Sequence, residues 1–471
     1  MLIARRTMLL SSFVALAAGR SYAETSCGPK PAEDLPEGLL RPGEQGPHAA
    51  TWMAFGATAR AWGDSTDTAF DRDLSNSRIV ARQDLMRLAA NLSRFEPVFM
   101  LVSDAADESE ARQFLDDVVA GRSPKDQFSD TLDGSGRIYI GKSRKPEDLP
   151  PIGSHPITFL IAPLDDLWTR DTAPIFALAP DGSLLAVIAN FNGWGQWPIS
   201  TGLCNWTKDP KKTENGVLDQ FIENDRLTAA FIADHLQAPE IKTWLTFEGG
   251  GLETNGHGLG LAMASSIIND NRNPGKSAEE IDTELGRVFG IKRMLWMPGV
   301  YGEELTDWHI DFTARFAAPD KIAFAFDRNW EPEDNRNELA LLTAVEAVNA
   351  LPTEEKSRVL GGASGDLTLH SLPTPRIEQV YAAYAARNTE HVITERTLEE
   401  FILTTAPGYV GYAHANGAII LGQFGDAEND LLAFQAIQAL YPDNVVVQIS
   451  TDGLASGGGT IHCATQEQPA T

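Results

Sequence analysis

The sequence predicts an α/β protein, on two observations. Short apolar runs of strand length recur among helical stretches over the whole chain, and 43% of its 471 residues are hydrophobic, enough for a substantial core. The runs are Ile157–Ala162, Leu184–Phe191, Leu259–Ile268, Lys321–Phe326, Ala418–Gln423 and Val445–Ile449. Between them, Ser277 with Glu280 forms a capping box that starts a helix, and Gly290 is placed to stop it. A second helix runs through Leu431, Phe434, Ile437 and Leu440 to Pro442, with Asp426 and Glu428 at its positive end. No sequence repeat and no Gly/Ser linker divides the chain, so one catalytic domain over 47–471 is expected. Segments 201–226 and 352–400 read as insertions or peripheral helices.

The N-terminus reads as an address. Arg5 and Arg6 precede an apolar stretch, Met8–Ala18, too short for a permanent anchor, and Ser21-Tyr22-Ala23 supplies small residues for cleavage. Residues 1–23 are therefore expected to be a cleaved secretory signal, with the paired arginines pointing to the twin-arginine route. An ordinary secretion signal that happens to hold two arginines is the plainer alternative. Residues 24–46, rich in Pro, Gly and Glu, follow as an extended lead-in. The mature chain is expected to be periplasmic or secreted and free of the membrane. Cys27 and Cys204 could pair in an oxidising compartment or remain free thiols.

Composition narrows the partners. The formal charge is −27, and cleavage after Ala23 deletes three arginines and no acids, taking it to −30. Such a surface repels nucleic acid and anionic lipid. Three cysteines are too few for a disulfide scaffold or a Cys-rich zinc site. A homo-oligomer is compatible with all of this.

Four polar clusters carry the chemistry. They are LDDLWTRDTAP with Trp168, Arg170 and Asp171; FEGGG with Glu248; TDWHIDFTARF with His309 and Asp311; and GGGTIHC with Gly458, Gly459 and Cys463. Each has a plain explanation alone. His309 and Asp311 fit a structural hydrogen bond on one strand face, Asp171 fits an ion pair, and Glu248 fits a turn. Cys463 fits a buried inert thiol, and the glycines fit a flexible loop. The usual zinc spacings are absent.

Together they suit attack on a planar cation. Carboxylates grip the N–H pairs of a guanidinium, a thiolate reaches its carbon, and a histidine moves protons to the departing nitrogen. Glycines before the nucleophile let the backbone approach the substrate.

These clusters, with PHAATWMAF (47–55), ANFNGWG (189–195), INDNRNPG (268–275) and GQFGD (422–426), resemble the agmatine deiminases and the bacterial-type peptidylarginine deiminases, guanidino-group-modifying enzymes of pentein fold. The resemblance implies an α/β propeller of about five ββαβ modules around a central active-site channel. It implies Cys463 as nucleophile and His309 as general acid and base. Asp171 and Asp311 would bind the guanidinium, Glu248 would orient His309 or the substrate, and Trp168 would flank the cation. Gly458 and Gly459 would border the substrate. No metal or organic cofactor is implied. Ala173, Thr460 and Trp308 depart from the family pattern beside the substrate, which puts substrate identity in question.

Agmatine, converted to N-carbamoylputrescine in the direction of putrescine, is the first expectation. Acids such as Asp165, Asp166 or Asp307 lining the channel would favour its second cation. The motifs supply no obvious arginine to receive the carboxylate of free arginine: Arg170 adjoins a catalytic acid and is expected to be engaged there, and Arg315 is a weaker candidate. Peptidyl or free arginine is the alternative substrate, followed by an amidinotransferase and a non-catalytic polyamine binder; retention of Cys463 argues against the last.

Overall fold

The computed structural model describes residues 35–62, 69–121, 149–196, 222–302, 304–325, 332–385 and 397–471. Cys27, Cys204, the expected signal and most of 201–226 lie outside them. The strands are β1 (His48–Ala54), β2 (Val98–Val102), β3 (Ile157–Ile161), β4 (Ile175–Leu178), β5 (Leu184–Ile188) and β6 (Glu240–Lys242). They continue as β7 (Leu252–Thr254), β8 (Leu259–Met263), β9 (Arg293–Met297), β10 (Ala314–Ala318) and β11 (Lys321–Phe324). The series ends with β12 (Thr368–Ser371), β13 (Ala413–Ala415), β14 (Ala418–Gln423), β15 (Val445–Ser450) and β16 (Gln466–Pro469).

Their pairing repeats one pattern. In β4-β5-β6, β7-β8-β9, β10-β11-β12 and β13-β14-β15, the first two strands are antiparallel and the third runs parallel to the second. The fifth sheet has the same plan across the ends of the chain. There β16 is antiparallel to β1, β1 is parallel to β2, and β3 adds an outer strand. A parallel pair cannot be joined by a tight turn, so helices carry each crossover: Ala69–Leu92, Asp225–Leu236, Ala278–Phe289, Pro332–Asn349 and Ala427–Leu440. Five ββαβ modules therefore build the α/β fold, closed by the C-terminal strand.

Local chemistry sets these helices. Ser277 and Glu280 form the reciprocal capping box, Gly290 ends that helix in the left-handed conformation, and Ile281, Leu285, Val288 and Phe289 are buried along one face. Asp426 caps Ala427–Leu440 by accepting from the Asn429 amide.

The structure refines two expectations about organisation. The stretch 352–400 holds the helices Thr353–Val359 and Ile377–Ala385, and it also carries β12, which pairs in parallel with β11 and completes a module; an edge strand of only four residues gives little apolar signal. The lead-in also belongs in part to the packed body. Leu39, Arg41 and Glu44 are buried, and Leu40 bridges to Leu178.

Candidate active site

The site is built from one structural position used four times. Asp171 lies in the short helix Thr169–Thr172 just before β4. Glu248 opens the 3-10 turn Gly249–Gly251 before β7, His309 opens the turn Ile310–Phe312 before β10, and Cys463 stands just before β16. Each turn precedes the first strand of a module, so the modular plan brings together residues up to 292 positions apart in sequence. The five clustered side chains are those the motifs single out.

Asp171, Glu248, His309 and Asp311 are all buried, and Cys463 is half-buried. The amide of Gly250 donates to Oδ1 of Asp171 at 3.1 Å, and the indole N–H of Trp194 donates to Oδ2 at 2.8 Å. Nδ1 of His309 stands 3.8 Å from Oδ1 of Asp171, while Nε2 is 3.2 Å from Oε2 of Glu248. Glu248 is fixed from behind by Nε of Arg272, 3.1 and 2.9 Å from its two oxygens. The Cys463 Sγ lies 3.9 Å from Oδ2 of Asp311 and 3.5 Å from Oγ1 of Thr460. Oδ1 of Asp311 is buried and has no hydrogen-bond partner among the described residues.

Backbone strain presents the histidine. Asp307 and Trp308 both adopt left-handed φ, 64° and 74°, which costs bulky residues roughly 1–3 kcal/mol each. Asp307 is held there by Nη1 of Arg272 at 2.5 Å and by the Gly302 amide at 2.8 Å. The Trp308 indole donates to Thr313 at 3.1 Å, giving this departure from the family pattern a structural role in the turn.

Electrostatics follow from the crowding of charge. Burial alone would depress His309, but the Asp171 charge and the Glu248 hydrogen bond hold its pKa up at about 9. Burial, then the Asp311 and Glu248 charges, raises Asp171 even with His309 opposing them. Burial opposes ionisation of Glu248 and Asp311 as well, yet Arg272 holds the first and His462 the second below the ordinary carboxylate range. Burial pushes the Cys463 thiol far up, and Asp311 and Asp171 add to it. A planar cation seated between those two acids would offset their field and favour the thiolate.

Several expected residues have other duties. Trp168 packs so tightly on Gly459 that a Cβ there would overlap its ring, which places Trp168 as a brace for the loop before Cys463. Gly458 turns that loop with φ 95°, beside Leu305. Asp165, Asp166 and Asp307, expected along the channel, have partners within the chain. They are buried and accept from Asn224, Trp62 and Arg272 respectively, because acids without such partners could not be desolvated. Arg170 and Arg315 are equally committed. Arg170 binds Glu44 at 2.9 Å and Glu467 at 2.8 Å; Arg315 binds Glu253 at 2.9 Å and also Glu44. Glu44, Glu253 and His462 approach within the 4.8 Å that a metal site needs, but those two guanidinium groups already occupy the carboxylates.

Sequence reasoning missed Trp194, Arg272, Glu44 and His462. Trp194 and Arg272 sit inside quoted motifs, and His462 adjoins the nucleophile, but only tertiary contact shows what they hold.

Comparison with known proteins decides the family. A sequence model described as Porphyromonas-type peptidyl-arginine deiminase matches residues 40–469. The chain belongs to that family. Agmatine deiminase of Pseudomonas aeruginosa is 26% identical over 435 residues, covering 92% of this chain and 96% of the relative. Agmatine deiminase of Stutzerimonas stutzeri is 26% identical over 436 residues with the same coverage. The solved agmatine deiminase of Enterococcus faecalis has a TM-score of 0.64 at 22% identity, covering 92% of this chain and 96% of its own. That likeness gives this deiminase-family chain the pentein-type propeller.

Proposed function

We propose that the protein is an exported agmatine deiminase that works through a covalent Cys463 intermediate. Family membership makes it a hydrolase of guanidino carbon–nitrogen bonds. The observation that carries the mechanism is Asp311 beside the Cys463 thiol, its Oδ2 3.9 Å from Sγ and its buried Oδ1 without a hydrogen-bond partner among the described residues, with Asp171 and His309 completing the enclosure. A guanidinium held by Asp171 and Asp311 supplies the missing donors and brings its carbon to Sγ.

The cation weakens the field that keeps the thiol protonated, and the thiol proton passes to solvent. The thiolate attacks the guanidinium carbon. His309, held as imidazolium, protonates the departing nitrogen, and ammonia leaves an amidino-thioether on Cys463. Neutral His309 then takes a proton from water, which adds to the same carbon. The carbon–sulfur bond breaks as the new hydroxyl loses its proton to solvent and becomes the ureido carbonyl, the product departs and the thiolate is regenerated. Agmatine plus water thus yields N-carbamoylputrescine plus ammonia.

Substrate choice is supported by the arginines. Arg170, Arg272 and Arg315 are buried and bonded to carboxylates of the chain, leaving none of the three to receive a substrate carboxylate. That disfavours free arginine. The family description favours peptidyl arginine as the second reading. A ureido assay with agmatine, arginine and a blocked arginyl peptide separates them. The highest kcat/KM should belong to agmatine; equal or better turnover of the peptide would replace this choice. The Arg5–Arg6 leader supports export, and a purified periplasmic protein should begin at Glu24; full-length protein retained in the cytoplasm would refute it.

A further inference from the structure

We propose that His462 and Glu44 form a positioning pair for Asp311, setting the carboxylate that receives the guanidinium. The inference rests on the deiminase reading above and adds two residues to it.

The geometry is a chain of three side chains. Nδ1 of His462 lies 2.7 Å from Oδ2 of Asp311, and Nε2 lies 3.0 and 3.2 Å from the two oxygens of Glu44. All three residues are buried, so these bonds are shielded from water. A carboxylate has a broad terminal torsion and adopts whatever orientation its partners impose. Oδ2, which His462 holds, is also the oxygen 3.9 Å from the Cys463 Sγ, and Oδ1 of Asp311 is left as a buried acceptor without a hydrogen-bond partner among the described residues. If His462 did not donate, Asp311 would be free to rotate, and both its oxygens could turn toward the thiol.

The main chain that carries the histidine is fixed as well. Its amide donates to the Gly411 carbonyl at 3.0 Å, and its carbonyl accepts from Thr465 Oγ1 at 3.2 Å. Glu44 is fixed in turn by Arg170 and Arg315, which are anchored on Glu467 and Glu253. Arg170 also returns to the nucleophile, its amide donating to the Cys463 carbonyl at 3.0 Å. The N-terminal segment therefore supplies a part of the site through Glu44.

Two amide substitutions separate this role from simple packing. In His462→Asn the side-chain N–H₂ can stand near the position of Nδ1 and still donate to Asp311. In His462→Gln it reaches toward Nε2 and Glu44, and the donor to Asp311 is lost. Titration calorimetry of the full-length protein with guanidinium chloride at millimolar levels reads the pocket without requiring turnover. His462→Gln should weaken guanidinium binding about tenfold or more, the scale of a charge-assisted hydrogen bond, while His462→Asn stays within about threefold of wild type. Agmatine kcat/KM should follow the same order, chiefly through KM. Glu44→Gln, which keeps the shape and removes the charge behind His462, should also weaken guanidinium binding, and it should lower the melting temperature as well because Arg170 and Arg315 lose a buried partner. Equal binding by the two His462 variants, or a loss that tracks melting temperature between those two, overturns the proposal. Wild-type protein that binds guanidinium but leaves agmatine, arginine and a blocked arginyl peptide all unchanged would refute the deiminase reading alone.

Discussion

A Cβ built on Gly250 would stand 2.8 Å from Nδ1 of His309. The same atom would lie 2.9 Å from Oδ2 of Asp311 and 3.1 Å from Oδ1 of Asp171. Gly250 is thus the floor against which three functional side chains are set.

Gly250→Ala should therefore displace all three. Misplacement on the ångström scale costs on the order of a hundredfold in rate, so kcat/KM for agmatine should fall by about that factor. The fold should persist, since the clashing atoms are side-chain ends. Circular dichroism and steady-state kinetics on the same preparation check this; near-normal turnover would show that the site is looser than its geometry.

The pH profile tests the histidine. Burial lowers its pKa, but Asp171 and Glu248 outweigh burial and hold it at about 9, so His309 is an acid at neutral pH. A step that needs its proton is lost as pH rises through that value, and kcat/KM should decline above about pH 9. Glu248→Gln removes one of the raising interactions and should move the descending limb to lower pH. It also strands Arg272 with less compensation, so stability should drop by roughly 3–5 kcal/mol, the cost of breaking a buried pair. An unmoved limb in the variant would contradict the assignment.

Much of this arrangement was legible in the sequence, and the reasons differ by feature. The strands with apolar runs, such as Ala418–Gln423, and the capped helix after Ser277 follow from local chemistry. Strand β16, Gln-Glu-Gln-Pro, carries no such signal and forms because β1 waits for it some 400 residues away in the chain. The modular repeat was invisible because modules share a pairing plan, while their crossovers differ in length and content. The nucleophile, the histidine and its acids were readable because few residue types perform that chemistry. Asp165 and Asp166 misled for the same reason: an acid in a motif looks functional until its hydrogen-bond donors are known.

Asp225 gives a test of stability. It accepts from the amides of Asp165 and Asp166, at 2.6 and 3.1 Å, yet burial and the Asp166 charge raise its pKa to about 8. Its folded pKa exceeds the unfolded value, so the folded state holds a proton that the unfolded state releases. Stability should then fall as pH rises from the ordinary carboxylate range toward 8. Asp225→Asn keeps an acceptor oxygen and has no proton to lose. Its melting temperature should gain on wild type between acidic pH and pH 8; a constant difference would show that Asp225 is ionised throughout.

The covalent role of Cys463 is tested most directly by mass spectrometry of enzyme quenched during agmatine turnover. The peptide containing Cys463 should carry the amidino adduct, and Cys463→Ala should show neither adduct nor ureido product while remaining folded. An unmodified Cys463 peptide during rapid turnover, with full activity in Cys463→Ala, would contradict the mechanism.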